Sequence, residues 1–209
     1  MEDYSRKLLV KDFGFLEELV KHFEKLPGVG KKTALRYAYY IVEKMSVESV
    51  KQFSEDLITI KENVKRCNVC GILTNEDTCD ICSDDTRDKS KILVVKDTKD
   101  VFAIEKIKQY NGTYHVLNGL ISPLDGIGPE DVNIDSLEDR CSKDDVKEVI
   151  LATPFTPNGE TTALFLERIL DRDNLVISRI GYGLPAGGDI EYTDELTLLR
   201  SLQNRKTLK

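Results

Sequence analysis

Four cysteines in one short cassette constrain this chain more than any other feature: Cys67-Asn-Val-Cys70 and Cys79-Asp-Ile-Cys82, with eight residues between the pairs. Two C-x-x-C pairs at this separation match a closed metal site, in which four thiolates surround one Zn²⁺ tetrahedrally and leave no position for a substrate. The spacing predicts a fold built around one structural zinc ion per chain rather than catalysis by that ion. A reactive dithiol is the alternative for a C-x-x-C pair. Two pairs so close together, with no strand ahead of them, argue against it. Cys141 stands alone beside acidic residues and reads as a packed or surface thiol.

No run of about eighteen apolar residues occurs, and Met1 to Lys7 lacks the basic-then-apolar layout of a leader, so the expectation is a cytoplasmic protein without a membrane partner. A reducing compartment keeps thiols free for a metal. The formal net charge of -7 argues at first against nucleic acid, but the charge is uneven. Before Cys67 there are 13 Lys and Arg against 11 Asp and Glu, and from Cys67 onward 17 against 26. Between residues 21 and 36, Lys21, Lys25, Lys31, Lys32 and Arg36 face only Glu24. Screening confines each charge to about 10 Å, so local potential decides phosphate binding. Any nucleic-acid contact is expected to begin in the first third of the chain.

Helical periodicity sets the organisation there. Phe15, Leu16, Leu19, Val20 and Phe23 form one amphipathic stripe that stops at Pro27-Gly28. A second helix is expected from about Lys31 to Lys44, burying Ala34, Tyr37, Ala38, Ile41 and Val42. A third, from Ser46 to Val64, carries Val50, Phe53, Leu57, Ile60 and Val64. After the cassette, the polar stretch Ser83 to Ser90 reads as a linker or turn. Short apolar runs then alternate with helical ones: Ile92 to Val95, a helix over Val101 to Tyr110, Tyr114 to Leu117, and a helix near Asp135 to Cys141. Val149 to Ala152, a helix over Glu160 to Asp171, and Leu175 to Ile180 follow. This alternation predicts βαβ units and a mostly parallel sheet, with ligand chemistry at the carboxyl ends of its strands.

Leu26-Pro27-Gly28-Val29-Gly30, between two amphipathic helices, has the form of a helix-hairpin-helix turn. Gly28 and Gly30 permit the tight turn, so the amides opening the next helix can face a phosphate. Lys32 and Arg36 lie four apart on one face and can flank the same backbone. Backbone contacts of this kind position a protein without reading sequence. Gly30-Lys31-Lys32-Thr33 is not a phosphate-binding P-loop, which needs Gly-Lys followed directly by Ser or Thr and a strand in front. Leu124-Asp125-Gly126-Ile127-Gly128-Pro129 copies the hairpin formula, but Asp125, Glu130, Asp131 and Asp135 would repel phosphate, and it reads as a structural loop.

Asp100 and Glu160 fall near predicted strand ends, where a pair of carboxylates could hold Mg²⁺. Lys96, at the tip of the first strand, would compete with the metal. A salt-bridged surface, a docking face for a partner, or residual Mg²⁺ binding without turnover is preferred to catalysis for Asp100 and Glu160. His22 and His115 belong to no triad or metal set.

The order of parts resembles the bacterial RecR family of recombination mediators, almost end to end. The resemblance rests on Leu26 to Gly30, the cysteine cassette, Ser122 to Pro129, and Gly183-Leu184-Pro185-Ala186-Gly187-Gly188-Asp189-Ile190-Glu191-Tyr192. It implies an α/β multidomain chain: a helix-hairpin-helix DNA-binding domain at 1–66, a four-cysteine zinc finger at 67–90, a Toprim-like α/β domain at 91–177, and a C-terminal oligomerisation segment at 178–209. Cys67, Cys70, Cys79 and Cys82 take the place of the zinc ligands. Lys32 and Arg36, with Gly28, Gly30 and Lys31, take that of the DNA-contacting hairpin, and Asp100 and Glu160 match Toprim acids. Two departures each remove an acid. The family usually has Glu where this chain has Lys96, and Asn-Pro-Thr-Val-Glu-Gly-Glu where this chain has Pro154-Phe155-Thr156-Pro157-Asn158-Gly159-Glu160.

The resemblance implies a non-enzymatic mediator of recombinational repair. It would be nucleoid-associated, bind single-stranded, duplex or gapped DNA as a dimer or tetrameric ring, and act with RecO and RecF to load recombinase. The alternatives are a Toprim-type Mg²⁺-dependent DNA-processing enzyme and a zinc-stabilised adaptor that binds only protein.

Overall fold

The computed structural model describes residues 14–143, 145–181, 183, 184 and 186–207. The opening residues read above for a leader, the side chain of Phe15, and Pro185 of the C-terminal motif lie outside the described residues. The chain divides into two compact units, one up to Asn63 and one from Val64 onward.

The first unit contains α1 (Gly14–Glu24), α2 (Lys31–Lys44) and α3 (Val47–Asn63). Its core is small. Leu16 and Val20 of α1 meet Ala34 and Ala38 of α2, with Leu19, Phe23, Val29 and Tyr39 packed around them. Alanines four apart present almost no side chain, so α1 and α2 approach closely along that stripe. The burial expected for the rest of α2 is not observed: Tyr37 is 40% and Val42 57% exposed, because α1 buries the alanine stripe and its Phe23 meets Tyr37 only edge-on, with ring centroids 5.7 Å apart. The stripe of α3 is likewise in water within this unit, with Phe53, Leu57 and Ile60 between 45% and 60% exposed.

The second unit starts with an antiparallel ribbon, β1 (Lys65–Arg66) and β2 (Leu73–Thr74), whose turn carries the first cysteine pair. Of the second pair, Cys79 is the N-cap of the short helix α4 (Asp80–Ser83) and Cys82 lies within it. Then come β3 (Asp88–Val95), α5 (Thr98–Glu105), β4 (Gly112–Val116), α6 (Asp135–Cys141), β5 (Glu148–Leu151), α7 (Pro157–Ile169) and β6 (Val176–Arg179). A C-terminal helix, α8 (Glu195–Gln203), buries no residue. The four longer strands form a parallel sheet in the order β4-β3-β5-β6, as the alternating pattern predicts.

Period-two alternation in β3 divides the core. Ile92 and Val94 point with Val149 and Leu151 toward Leu137 of α6 and Ala163 and Leu166 of α7. Leu93 and Val95 point the other way, toward Val101 of α5, Tyr114 and Val116, and there Cys67, Cys70, Ile72 and Cys79 complete the layer. The metal cassette thus stands where a further helix would normally cover the sheet.

Element boundaries shift for local reasons. α5 starts at Thr98 rather than Val101 because Asp97 and Asp100 form a capping box. It ends before Lys108, whose φ is 55°. α7 begins at Pro157 because Thr156 caps it, accepting the Gly159 amide at 3.3 Å. Ser83 to Ser90 is not simply a linker: Asp88 already pairs with Gly112 in the sheet. Arg87 donates to both Glu105 oxygens at 2.9 and 2.7 Å, and the Tyr114 hydroxyl donates to Glu105 at 2.5 Å. Polar residues there hold the sheet's rim rather than cross it.

The Arg87 guanidinium holds the Glu105 carboxyl below its ordinary value of about 4.5. A carboxyl whose pKa folding lowers stabilises fully above its unfolded value, and that contribution fades as pH falls through the folded one. Arg87→Ala should therefore cost about 2 kcal/mol at pH 7. In urea unfolding the gap to the unaltered protein should narrow as pH falls through the carboxylate range; a pH-independent gap would assign the loss to packing instead.

Candidate metal centre and nucleic-acid interface

The local chain explains how the cysteines converge. Cys67 N–H donates to Ile72 O at 2.8 Å and Gly71 N–H to Cys67 O at 2.9 Å, closing the first pair into a knuckle. The second pair is drawn in by Cys79, whose amide donates to Cys67 Sγ at 3.3 Å, as the Val69 amide does at 3.4 Å. All four sulfurs lie within 4.8 Å of one another, with three of the residues buried and Cys82 half-buried. Cys70 Sγ and Cys79 Sγ are 3.6 Å apart. Four sulfurs held at about 2.3 Å from one ion in a tetrahedron would stand roughly 3.8 Å apart, so the cage fits the metal. The chemistry of the donors agrees. Hydrogen bonds from Cys70 and Cys82 pull the Cys79 thiol well below the usual thiol range, while the bond to Cys79 pushes Cys70 upward. Four crowded sulfurs cannot all ionise unless a cation shares their charge.

The knuckle is seated on the sheet. Cys70 O accepts the Val116 amide at 2.7 Å. Gly71 sits at φ 76°, and a Cβ there would stand 2.7 Å from Asn133 Nδ2 and 2.8 Å from Val116 O. Arg66 and Asn118 both donate to Gly71 O, at 3.3 and 3.2 Å, and Arg66 also reaches Asn118 Oδ1.

The hairpin residues lie in the first unit. Gly28 takes φ 79°, and the Val29 amide closes the turn on Leu26 O at 3.1 Å. Gly30 is the N-cap of α2, its carbonyl accepting the Thr33 and Ala34 amides, and the first turn contains no acid. Lys31, Lys32 and Arg36 are exposed, and among the described residues no ion pair neutralises them. Arg36 stacks over the Tyr37 ring at 5.8 Å. Three cations on the opening turns of a 14-residue helix reinforce its positive end.

The two acids do not come together. At the carboxyl ends of β3 and β5, where strand order reverses direction, a crevice of about 400 Å³ is lined by Lys96, Asp97, Lys99, Asp100, Ala152 and Ile180. Asp100 Oδ2 accepts the Asp97 amide at 2.8 Å as half of the capping box, and Lys96 Nζ lies 3.5 Å from Asp97 Oδ2. Glu160 is absent from that lining and pairs instead with Arg179 Nη2 at 2.7 Å. Arg179 also donates to Leu151 O and Thr153 Oγ1, at 3.2 and 2.7 Å, and lies 4.7 Å over the Phe155 ring. Among the described residues, the cysteines are the one cluster of three or more potential metal ligands. Asn158 donates to Ser122 Oγ at 3.0 Å.

Reading the sequence does not single out Arg179, whose sole signal is a cation inside the last apolar run, Leu175 to Ile180. His115 is a buried structural group whose Nε2 lies 2.7 Å from Asn133 O and whose pKa burial pushes down to about 4. His22 is exposed, and Cys141 is packed in the core.

Comparison with known proteins divides the chain in the same order. The profile of the RecR helix-hairpin-helix matches residues 16–60, and that of the RecR four-cysteine zinc finger domain residues 64–84. The Toprim domain profile matches residues 90–181 and the RecR C-terminal profile residues 183–206. The chain is 46% identical over 193 residues to Recombination protein RecR of Enterococcus faecalis, covering 92% of this chain and 97% of the relative. It is 49% identical, with the same two coverages, to proteins of that name from Streptococcus thermophilus and Streptococcus mutans.

Because the cage and the sheet share one core layer, Cys79→Ser should remove the bound metal and also lower the melting temperature of the whole second unit. Metal content by atomic emission and a thermal melt on the same sample check this. A metal-free variant with an unchanged melt would show the knuckle to be energetically separate.

Proposed function

The chain belongs to the RecR family of recombination proteins, and we propose that it acts as a non-enzymatic, DNA-binding mediator of recombinational repair. In this reading it works with RecO and RecF to load recombinase onto gapped or single-stranded DNA, in the cytoplasm at the nucleoid. The observation that carries the DNA-binding step is the opening of α2: Lys31, Lys32 and Arg36, exposed and without an ion pair among the described residues, on a helix N-terminus with no acid in its first turn. Gly28 and Gly30 let the backbone close on a phosphate beside them. Cys67, Cys70, Cys79 and Cys82 hold one structural Zn²⁺, which supplies rigidity and no chemistry.

The non-catalytic reading is supported by what the acids already do. Asp100 caps α5, Glu160 neutralises Arg179, and Lys96 stands in the crevice where a divalent ion would need another carboxylate. These groups serve instead as a docking face for a partner. Self-association as a dimer or tetrameric ring runs through residues 178–209, supported by Leu196, Leu199 and Leu202 of α8, each more than half exposed. Linking several hairpins raises their effective concentration on one DNA, which suits a chain of net negative charge.

Changing Lys32 and Arg36 together to Ala should weaken DNA binding at least tenfold and leave the circular-dichroism spectrum intact. In a salt titration the log–log slope should become shallower by about 0.9 for each lost phosphate contact. An unchanged slope would remove the hairpin from the interface. On single-stranded, duplex and gapped DNA no Mg²⁺-dependent cleavage or synthesis is expected; an activity that disappears in Asp100→Asn would replace the mediator by a Toprim-type enzyme.

A further inference from the structure

The four sulfurs of the cage are not equivalent. Cys67, Cys70 and Cys79 are 3%, 1% and 5% exposed, whereas Cys82 is half-buried. Backbone amides hold the buried three: those of Val69 and Cys79 donate to Cys67 Sγ at 3.4 and 3.3 Å, that of Ile72 to Cys70, and that of Cys82 to Cys79. Among the described residues no backbone amide bonds to Cys82 Sγ. An N–H donor draws charge from a thiolate and weakens it as a nucleophile, so Cys82 keeps the most reactive sulfur of the set.

Cys82 also lies where small molecules can reach it. It lines a cavity of about 230 Å³ together with three cations, Lys89, Arg140 and Lys143, and one carboxylate, Asp145. That space admits several molecules the size of water, each occupying about 30 Å³ in the liquid. Arg140 is fixed in the wall, donating to Tyr114 O at 2.7 Å and Thr113 Oγ1 at 3.2 Å, and has no ion pair among the described residues. Lys89 pairs with Asp85 at 2.6 Å, and Lys143 is exposed. A nucleophilic sulfur and cationic N–H groups on one cavity are what breaking an O–O bond requires.

We propose that Cys82 is the oxidation site of the finger, taking a small hydroperoxide from this cavity, with Cys79 as the resolving thiol. The Cys82 sulfur attacks one peroxide oxygen. An S–O bond forms, the O–O bond breaks, and two electrons pass from sulfur to the departing oxygen, which takes a proton from a lysine ammonium of the cavity. Cys82 is then a sulfenic acid. The Cys79 sulfur, within 4.8 Å, attacks it; an S–S bond forms and hydroxide leaves. Two thiolates remain, too few to keep the ion. The layer that Cys67, Cys70, Ile72 and Cys79 build on Leu93, Val95, Tyr114 and Val116 thereby loses its fastening until a dithiol reductant and fresh Zn²⁺ restore it. This needs the cage to hold its ion and does not depend on the DNA-binding reading.

The test treats the purified, metal-bound full chain with hydrogen peroxide. Zinc release is followed with a chromophoric chelator, while samples quenched with N-ethylmaleimide are mapped by peptide mass. Oxidation should appear first at Cys82, as sulfenic acid or as its disulfide to Cys79, in step with one ion released per chain; dithiothreitol with Zn²⁺ should restore the original melt. Lys89→Gln combined with Lys143→Gln should slow release about tenfold at unchanged metal content and melting temperature. First oxidation at Cys67, Cys70 or Cys141, or ion release with every sulfur still reduced, overturns the proposal. An unaltered rate in the double variant removes the cavity from the step and overturns it too. A chain purified without metal overturns the metal reading and the proposal together, whereas a metal-bound chain first oxidised elsewhere overturns the proposal alone.

Discussion

The bond from the Val116 amide to Cys70 O joins the metal knuckle to the edge strand of the sheet, and much of the second unit depends on that junction. Around it, Leu93, Val95, Tyr114 and Val116 would present one apolar face of the sheet to water were Cys67, Cys70, Ile72 and Cys79 not packed on them. A parallel sheet is stable only with both faces covered. Here one face is covered by α6 and α7, and the other by α5 and a few residues that have no regular structure long enough to stand alone. Metal binding in small cysteine cages is worth on the order of 10 kcal/mol. An ion held by the four cysteines would substitute for the apolar area that such a short segment cannot provide, and would tie the finger and the sheet to one energetic fate.

At the carboxyl ends of the central strands β3 and β5, electrostatics take over. A Toprim-type crevice would ordinarily gather carboxylates around a divalent ion; this chain gathers cations of its own. Arg179 binds Glu160, Thr153 and the Leu151 carbonyl at once, using three oxygen groups of the kind a metal would use. Lys96 and Lys99 share Asp97. Asp97 and Glu160 are thus each engaged by a cation of the chain itself, at two separate places near the strand ends. In the other unit, Lys31, Lys32 and Arg36 at the opening of α2 are exposed and have no ion pair among the described residues.

The parts legible in the sequence are those specified locally. The cysteine spacing dictated the cage, four short apolar runs became the parallel sheet, and Asp135 to Cys141 is helical over the range its pattern indicates. The parts not legible depend on what faces what. Tyr37, Val42, Phe53 and Leu57 repeat at helical spacing, yet the alanine stripe is what α1 buries, and these four stay 40% to 57% exposed. Arg87 looked like a linker residue because its partners, Glu105 and the Gly112 carbonyl that opens β4, come later in the chain. Asp100 and Glu160 looked like a pair because strand ends converge; a backbone amide and Arg179 claim them separately. Periodicity reports the existence of an apolar face, whereas its burial is decided by a neighbour the pattern does not name.

Gly71 gives the cage a schedule. The four ligands span only Cys67 to Cys82, so a nascent chain can capture its ion soon after they emerge. The knuckle cannot settle then, because its glycine lies against Val116, Asn118 and Asn133, which are synthesised much later. Loading and seating are separate events, one local and early, the other waiting for β4 and the loop beyond it. A metal-bound finger is thus no proof of a finished domain; the bond from Val116 to Cys70 is the later and more demanding signal that the rest of the chain has arrived.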